Sequence, residues 1–238
     1  MHAFTFADRD FLALPERALF WPERRALLVA DLHLEKASWF AARGQMLPPF
    51  DSAATLTKLL ALAIRTDAQE IWALGDSFHD DAGPDRLDDD ALALVERLAR
   101  GRRIVWIAGN HDSDGHLPGE RCDEAEFGDL VLRHEALAGE QRYEISGHFH
   151  PKLRVQGAAR SVSRPCFATG GNRLILPAFG ALTGGLDVGS PAIAGLLGSE
   201  PWGLIATATG LHRYPVAPPL ARSGAVRRQR VGSASVTF

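Results

Sequence analysis

Asparagine, aspartate and histidine recur directly after short apolar runs of this 238-residue chain. In chain order the blocks read Asp31-Leu32-His33, Gly75-Asp76, Gly109-Asn110, His134 and Gly147-His148-Phe149-His150. Side chains two residues apart on an extended segment point the same way, so each D-x-H or H-x-H pair can face one centre. Imidazole, carboxylate and amide donors suit Mn, Fe, Zn or Co, and they disfavour a thiolate zinc site or a calcium cage. The pattern therefore indicates a divalent metal centre.

The number of candidate ligands favours two cations rather than one. The set comprises Asp31, His33, Asp76, Asn110, His134, His148 and His150. Two cations about 3.5–4 Å apart can clamp a phosphate and generate a hydroxide between them. Their mutual repulsion calls for a bridging anion, and Asp76 is the natural bridge. Each of these residues taken singly has an ordinary explanation, such as a helix cap or a core histidine. His79 and His111 follow the second and third blocks, so six of the nine histidines fall inside one pattern. We therefore interpret the whole as a phosphoesterase centre that attacks with a metal-bridging hydroxide.

The apolar runs before these blocks predict buried strands. The predicted strands are Ala26–Ala30, Ile71–Leu74, Ile104–Ala108, Leu130–Leu132 and Tyr143–Ser146, followed later by Arg173–Leu176 and Leu204–Ala208. Helical spacing predicts helices over Glu35–Arg43, Asp51–Thr66 and Asp88–Arg100, with Asp51 or Ser52 as the N-cap of the second. Strands that first alternate with helices and are then completed by hairpins indicate an α/β fold in which two sheets pack face to face with helices outside.

The length of the chain fits one domain, which we place at residues 1–210. Residues 211–238 contain no acid and five arginines, so we interpret them as a poorly ordered basic tail. The N-terminus lacks the features of a secretory signal, and no apolar stretch reaches membrane-spanning length, which predicts a cytoplasmic protein without a membrane partner. Cys122 and Cys166 form no CxxC pair. They favour a reducing compartment but leave a disulfide open.

These blocks, in this order, resemble the calcineurin-like metallophosphoesterase superfamily. The resemblance implies a two-sheet β-sandwich flanked by helices. It also implies that one metal takes Asp31, His33, Asp76 and His150, and that the other takes Asp76, Asn110, His134 and His148. The resemblance further implies that His111 is the acid that faces the phosphate and that Asp112 orients it.

A narrower resemblance lies partly outside the metal blocks. The stretches DLHLEK, RGQMLPPFDSAATLTKL, GDSFHD, GHFHP, RPCF and LPAFGALTGG are similar to the bacterial ligase-associated DNA-damage-response endonucleases. That branch resembles manganese-dependent single-strand DNA nucleases, which implies two Mn²⁺ ions and work alongside a DNA ligase, a helicase and an exonuclease. The GDSFHD block departs from the G-D-x-x-D/N-R form common in the superfamily, and His79 within it would face the substrate phosphate.

A DNA substrate needs positive charge near the centre. Lys36 and Arg43 follow the first block, and Arg154 stands among the basic residues after His150, although a single such residue is more often simply solvated. Trp39, Phe40 and Phe149 could stack bases, but aromatic residues beside such blocks are more often part of the core. Three functions stay open: a nuclease for single-stranded or flexible DNA, a phosphatase or small-nucleotide phosphodiesterase, and a binding scaffold without chemistry. The complete ligand set argues against the scaffold.

Overall fold

The computed structural model describes residues 1–110, 117–156 and 160–216 of the chain. Within them the first sheet has seven strands in the spatial order β1 to β7. These strands are β1 His2–Phe6, β2 Arg9–Ala13, β3 Leu19–Trp21, β4 Ala26–Val29, β5 Glu70–Leu74, β6 Arg103–Ile107 and β7 Glu120–Cys122. The strands β1 to β4 pair antiparallel, whereas β4, β5, β6 and β7 pair parallel.

The second sheet also has seven strands, in the order β16-β15-β13-β14-β10-β9-β8. Their bounds are β8 Glu124–Phe127, β9 Leu130–Arg133, β10 Tyr143–Ser146, β13 Phe167–Gly170, β14 Arg173–Ile175, β15 Trp202–Ala206 and β16 Leu211–Pro215. A separate hairpin, β11 Lys152–Gln156 with β12 Ser161–Pro165, follows the H-x-H block. The helices are α1 Lys36–Ala41, α2 Asp51–Arg65, α3 Asp89–Ala99 and α4 Pro191–Leu197, with short 3-10 turns at Pro22–Arg24 and Pro84–Arg86.

Alternation along the central strands sorts the core into layers. On β4, Leu27 and Val29 pack with α2 and α3, whereas Leu28 joins the cluster between the two sheets. That middle cluster takes residues from both sheets, including Trp72 of β5 and Ile145 of β10. A third cluster lies under α4 on the outer face of the second sheet. Because β4 to β6 are buried on both faces, their sequences read as continuous apolar runs. The prediction of a two-sheet sandwich flanked by helices is confirmed.

Several boundaries differ from the sequence-based predictions. The helix α2 begins at Asp51, but its N-cap is Phe50 and has no side-chain cap, so the prediction of an Asp51 or Ser52 cap is wrong. The Asp51 carboxylate instead accepts the N–H of Ala37 in α1. The second sheet continues to Pro215 through β16, five residues beyond the predicted domain end at 210, because this strand pairs with β15 along its whole length. Residues 217–238 of the predicted tail lie outside the described residues.

Both cysteines are free thiols, Cys122 half-buried and Cys166 buried. Burial raises the pKa of the Cys166 thiol to about 12. Among the described helices, none combines the length and the apolarity that crossing a membrane requires.

Candidate metal centre

Two triads of potential ligands form where the central strands end. Asp31, His33 and His150 make the first triad, and within it each residue offers a ligand atom within 4.8 Å of the others. Its imidazoles approach to 3.1 Å between the Nε2 atoms of His33 and His150. His150 Nε2 lies 3.5 Å from Asp31 Oδ1.

The second triad contains Asp76, His134 and His148. His148 Nδ1 lies 3.1 Å from His134 Nε2, which is itself 3.4 Å from Asp76 Oδ1. The two triads draw on β4, β5, β9 and the segment after β10, so both sheets of the sandwich contribute. Six of the seven predicted ligands are therefore brought together, in the division that the resemblance implies.

Asp76 faces both triads with different oxygens. Its Oδ1 is directed at His134, and its Oδ2 lies 3.9 Å from His33 Nε2 in the other triad. A carboxylate that presents one oxygen to each of two cation sites is the arrangement needed for a bridging ligand.

Backbone conformation aims these side chains. Five of the six triad residues have left-handed φ angles, between 44° and 71°, namely Asp31, His33, Asp76, His148 and His150. This region is unfavourable for residues other than glycine, and such strain concentrates at functional sites. The surrounding hydrogen bonds hold it in place: Asp31 N–H donates to Gly75 O at 3.2 Å, and His33 N–H donates to Asp76 O at 3.0 Å. These two bonds tie the first D-x-H block to the second block.

A backbone carbonyl fixes the tautomer of the His134 ring. Its Nδ1 lies 3.1 Å from the carbonyl oxygen of Leu74, which can only accept, so the proton of the neutral ring is on Nδ1. The lone pair on Nε2 then points toward Asp76 and His148. A backbone carbonyl that fixes the tautomer in this way is typical of metal-binding histidines. The donor set therefore fits a divalent cation.

Two of the glycines before ligands permit close approaches. At Gly75, φ is +73° and a Cβ atom would lie 2.2 Å from His134 Nδ1. At Gly147, a Cβ atom would lie 2.6 Å from the Cβ of Ala30 and 2.8 Å from Asp31 Oδ2. The glycines thus allow the second-sheet blocks to pack directly against the ligands of the first sheet.

Of the other predicted ligand and catalytic residues, the structure describes some and not others. Asn110 is exposed and follows Gly109, at which a Cβ atom would touch the backbone nitrogen of Asp76. His111 and Asp112 lie outside the described residues. His79 stands beside the first triad, since its ring centroid is 5.8 Å from that of His33.

The predicted substrate-binding residues occupy different surroundings. Lys36 is half-buried at the start of α1, where burial lowers its pKa although Asp51 opposes the shift. Arg43 is exposed and lies over the ring of Trp39, 3.6 Å from its centroid. Arg154 is exposed on β11, four residues past His150.

Two acidic residues near the centre were not found from the sequence. Glu135 Oε1 lies 3.6 Å from His148 Nε2. Glu35 is buried with a left-handed φ of 63°, and its carboxylate accepts the hydroxyl of Ser52 at 2.7 Å. In the sequence, Glu135 directly follows His134 and Glu35 lies two residues after His33. An acid beside a predicted ligand is too common for this position to identify a functional residue.

Known proteins place this centre in a family. The family model for calcineurin-like phosphoesterases matches residues 24–172. Among solved structures, the Pseudomonas putida nuclease MPE is 30% identical, with a TM-score of 0.66 over 85% of this chain and 96% of that chain. The E. coli phosphoesterase YfcE is 15% identical, with a TM-score of 0.41 over 81% of this chain and 99% of that chain, too distant to bear on activity. No curated protein matches the sequence.

The family model covers more than half of the chain and includes every one of the six triad residues. A donor set that converges as two neighbouring triads around one shared carboxylate fits a dinuclear divalent metal centre. The chain therefore belongs to the calcineurin-like phosphoesterase family and is a metal-dependent phosphoesterase hydrolase.

Proposed function

We propose that this phosphoesterase is a manganese-dependent endonuclease that cleaves phosphodiester bonds within single-stranded DNA during DNA repair. The observation that carries the proposal is the pair of triads that Asp76 faces with its two oxygens. The chain is also 30% identical, over 85% of its own length, to a protein described as a nuclease. The motif resemblance to repair endonucleases points the same way.

The donor types support manganese. Both triads offer only imidazole nitrogens and carboxylate oxygens, and neither contains a thiolate. Mn²⁺ accepts such mixed nitrogen and oxygen ligands, whereas zinc sites closed by cysteine require sulfur. Fe, Zn and Co share this preference, so the metal is identified by comparing activities after loading with each ion.

The chain's own groups would divide the work of cleavage. Bound at the two triads, the cations would supply Lewis acidity toward the phosphate oxygens and lower the pKa of an attacking water. His79, beside His33, would hold a non-bridging phosphate oxygen. His111, oriented by Asp112, would protonate the leaving oxygen. These three residues keep the roles predicted from the sequence.

Solvent reaches the centre from the side of the H-x-H block. The side chain of His148 is 27% exposed and that of His150 is 16% exposed, whereas Asp31 is fully buried. Asp31 thus lies at the floor of the centre, and His148 and His150 lie at its rim. A rim open to solvent is compatible with a chain that runs past the centre, as an internal phosphodiester must.

The test compares a diester with a monoester. Bis-p-nitrophenyl phosphate and p-nitrophenyl phosphate are assayed with Mn²⁺, followed by a covalently closed single-stranded DNA circle and a terminally phosphorylated oligonucleotide. We expect the diester and the circle to be cleaved in preference. Should the circle survive while the terminal phosphate is released, the endonuclease proposal is wrong, and the chain is a phosphatase or a small-nucleotide phosphodiesterase.

The cellular setting is also part of the proposal. A single-strand endonuclease of this branch would act in the cytoplasm beside a DNA ligase, a helicase and an exonuclease of one repair pathway. The motif resemblance supports this setting. Co-purification of the chain with these enzymes after DNA damage would test the association.

A further inference from the structure

An aromatic group borders the first triad on the side of α1. Trp39 and Phe40 lie in α1, with their ring centroids 4.9 Å apart and their planes at 73°. Both rings contact His79, Trp39 edge-on at 4.9 Å and Phe40 nearly parallel at 5.9 Å. His79 in turn contacts His33 of the triad. We call Trp39 and Phe40 the α1 platform, and one imidazole ring separates it from a metal ligand.

The α1 platform is not part of the core. Neither Trp39 nor Phe40 joins any of the three hydrophobic clusters formed by the described residues, and both rings are half-buried. Phe149, the third aromatic residue considered from the sequence, differs because it packs against the third cluster. Two large rings held at the surface beside a reaction centre, without a core to fill, need another explanation.

Polar contacts on two sides hold α1 in place. Ser52 accepts the N–H of Glu35 at 2.8 Å, and Asp51 accepts the N–H of Ala37 at 3.1 Å. On the other side, Arg86 donates from Nε to the hydroxyl oxygen of Ser38 at 3.0 Å. The α1 platform therefore has a defined position relative to His79. The backbone N–H of His79 in turn donates to the carbonyl oxygen of Leu34.

Arg43 is the positive charge that the α1 platform offers to a phosphate. Arg43 lies over Trp39 and donates to its carbonyl oxygen at 3.0 Å. In the described part of the chain Arg43 forms no salt bridge with a carboxylate, so its charge is available to a ligand. The acid nearest to His79 in sequence, Asp80, is paired with Arg86.

We infer that the α1 platform stacks an unpaired nucleobase, on Phe40 or on the face of Trp39 opposite Arg43, while the adjoining phosphate lies at the metal centre and Arg43 contacts the neighbouring backbone. This inference rests on the proposed function and specifies its substrate. Every base has a π-face, so a stacking platform accepts any sequence but requires a base that is not stacked in a duplex. The platform thereby selects single-stranded over double-stranded DNA and bases over a bare sugar-phosphate chain.

The experiment separates bases from backbone. The Mn²⁺-loaded full-length protein is given a single-stranded oligonucleotide, or one of the same length in which every residue is a tetrahydrofuran abasic analogue. The backbone charge is equal in both. We expect Trp39→Leu and Phe40→Leu to lower kcat/KM on the normal oligonucleotide by about 5- to 150-fold, the range for loss of one base–aromatic stack. The loss on the base-free oligonucleotide should be much smaller, because no stack is available there to be removed.

Tryptophan fluorescence gives a readout independent of catalysis. Trp21, Trp72 and Trp106 are buried, so quenching on rapid mixing with an oligonucleotide reports mainly on Trp39 and Trp202. Trp202 is the matched control because Arg213 also covers its ring, at 5.0 Å. In the second sheet Trp202 pairs with Thr169 of β13. It therefore lies toward the edge of the sheet that is remote from Ser146, the last residue of β10. Quenching should vanish in Trp39→Leu and persist in Trp202→Leu.

The failures are distinguishable. If the wild type cleaves both oligonucleotides equally, or if the α1 variants lose activity on both in parallel, the platform is overturned and the endonuclease stands. If the wild type hydrolyses p-nitrophenyl esters but neither oligonucleotide, the endonuclease and the platform both fall. Melting temperatures of the variants, together with recovery of activity in Trp39→Phe, exclude misfolding as the source of a loss.

Discussion

The carboxylate of Asp31 accepts the backbone N–H of His148, which lies 3.0 and 3.1 Å from its two oxygens. Asp31 belongs to the first triad and His148 to the second. A residue that would ligate one cation therefore also fixes the segment that carries a ligand of the other, and it joins the two sheets of the sandwich at this point.

This contact predicts that Asp31→Ala weakens both metal sites and that Asp31→Asn weakens mainly the first. The asparagine oxygen can still accept the His148 N–H, whereas alanine leaves it without this acceptor. Mn²⁺ stoichiometry and affinity, measured by calorimetry and metal analysis, check the difference. Equal losses in the two variants would show that the hydrogen bond does not position the second triad.

Asp76→Ala should remove both cations and abolish turnover more completely than Asp31→Asn. The reason is that Asp76 directs Oδ1 toward His134 and Oδ2 toward His33. Metal content after dialysis against excess Mn²⁺ should fall from near two per chain to near zero. Asp85→Ala, an exposed carboxylate in a surface turn, is the control and should keep both ions. Retention of one tight Mn²⁺ in Asp76→Ala would contradict the bridge.

The order of strand and ligand blocks made much of this centre predictable. Each apolar run that precedes a ligand is a strand of the structure, and parallel strands bring their carboxyl ends to one edge. Tyr143–Ser146 is a strand with the predicted bounds. Residue type and spacing were sufficient here because a buried strand and a metal ligand both leave strong local signals.

Other features depend on contacts distant in sequence. The left-handed φ of His150 depends on packing between the two sheets, and no local sequence pattern predicts it. The Asp51–Ala37 hydrogen bond links two helices, so a rule based on neighbouring residues predicted that the Asp51 carboxylate caps α2, whereas it accepts an N–H of α1. The hairpins β1–β2 and β11–β12 were missed because their exposed faces break the apolar pattern.

Gly147→Ala should lower metal affinity as well as stability. The added Cβ would press on Ala30 and on Asp31 Oδ2, and neither can retreat easily, since both are buried. Overpacking of this kind destabilises by about 1–3 kcal/mol. Gly195→Ala in α4 is the control, because nothing lies within 4 Å of its Cβ position, and it should be neutral or stabilising. Thermal melts with and without Mn²⁺ measure both effects. A Gly147→Ala protein that melts and binds Mn²⁺ like the wild type would contradict the close packing.

His111→Ala should keep both cations and lose turnover by about 10²- to 10⁴-fold, as expected for removal of a general acid. The prediction rests on the position of His111 directly after Asn110, which the sequence predicts as a ligand. The loss should shrink on a diester with a p-nitrophenolate leaving group, which needs little protonation. Metal analysis runs in parallel, and a variant that has lost its Mn²⁺ would show that His111 is a ligand.

Lys58 is linked through Phe179 to the residue that precedes Asp31. Its ammonium group donates to the carbonyl oxygen of Phe179 at 2.5 Å and lies 3.7 Å from the centroid of that ring. The N–H of Phe179 donates to Ala30 O at 2.8 Å, next to the ligand Asp31. Burial is the main cause that lowers the pKa of Lys58 to about 7, with Arg17 adding to the shift and Glu16 opposing it.

The lowered pKa of Lys58 predicts a pH-dependent stability between about 7 and 10.5, its folded and ordinary values. In that window the unfolded chain binds the proton that the folded chain has released, so this residue's contribution makes folding more favourable as pH rises. Below pH 7 the buried charge opposes folding in full. Lys58→Met removes the charge, so its stability relative to the wild type should be highest below pH 7 and should decline toward pH 10. Denaturant unfolding of both proteins in excess chelator, from pH 6 to 10, measures the difference without metal binding. Loss of the hydrogen bond to Phe179 adds an offset that does not vary with pH, so the slope alone is diagnostic. A difference that stays constant across the range would mean that Lys58 titrates near its ordinary pKa.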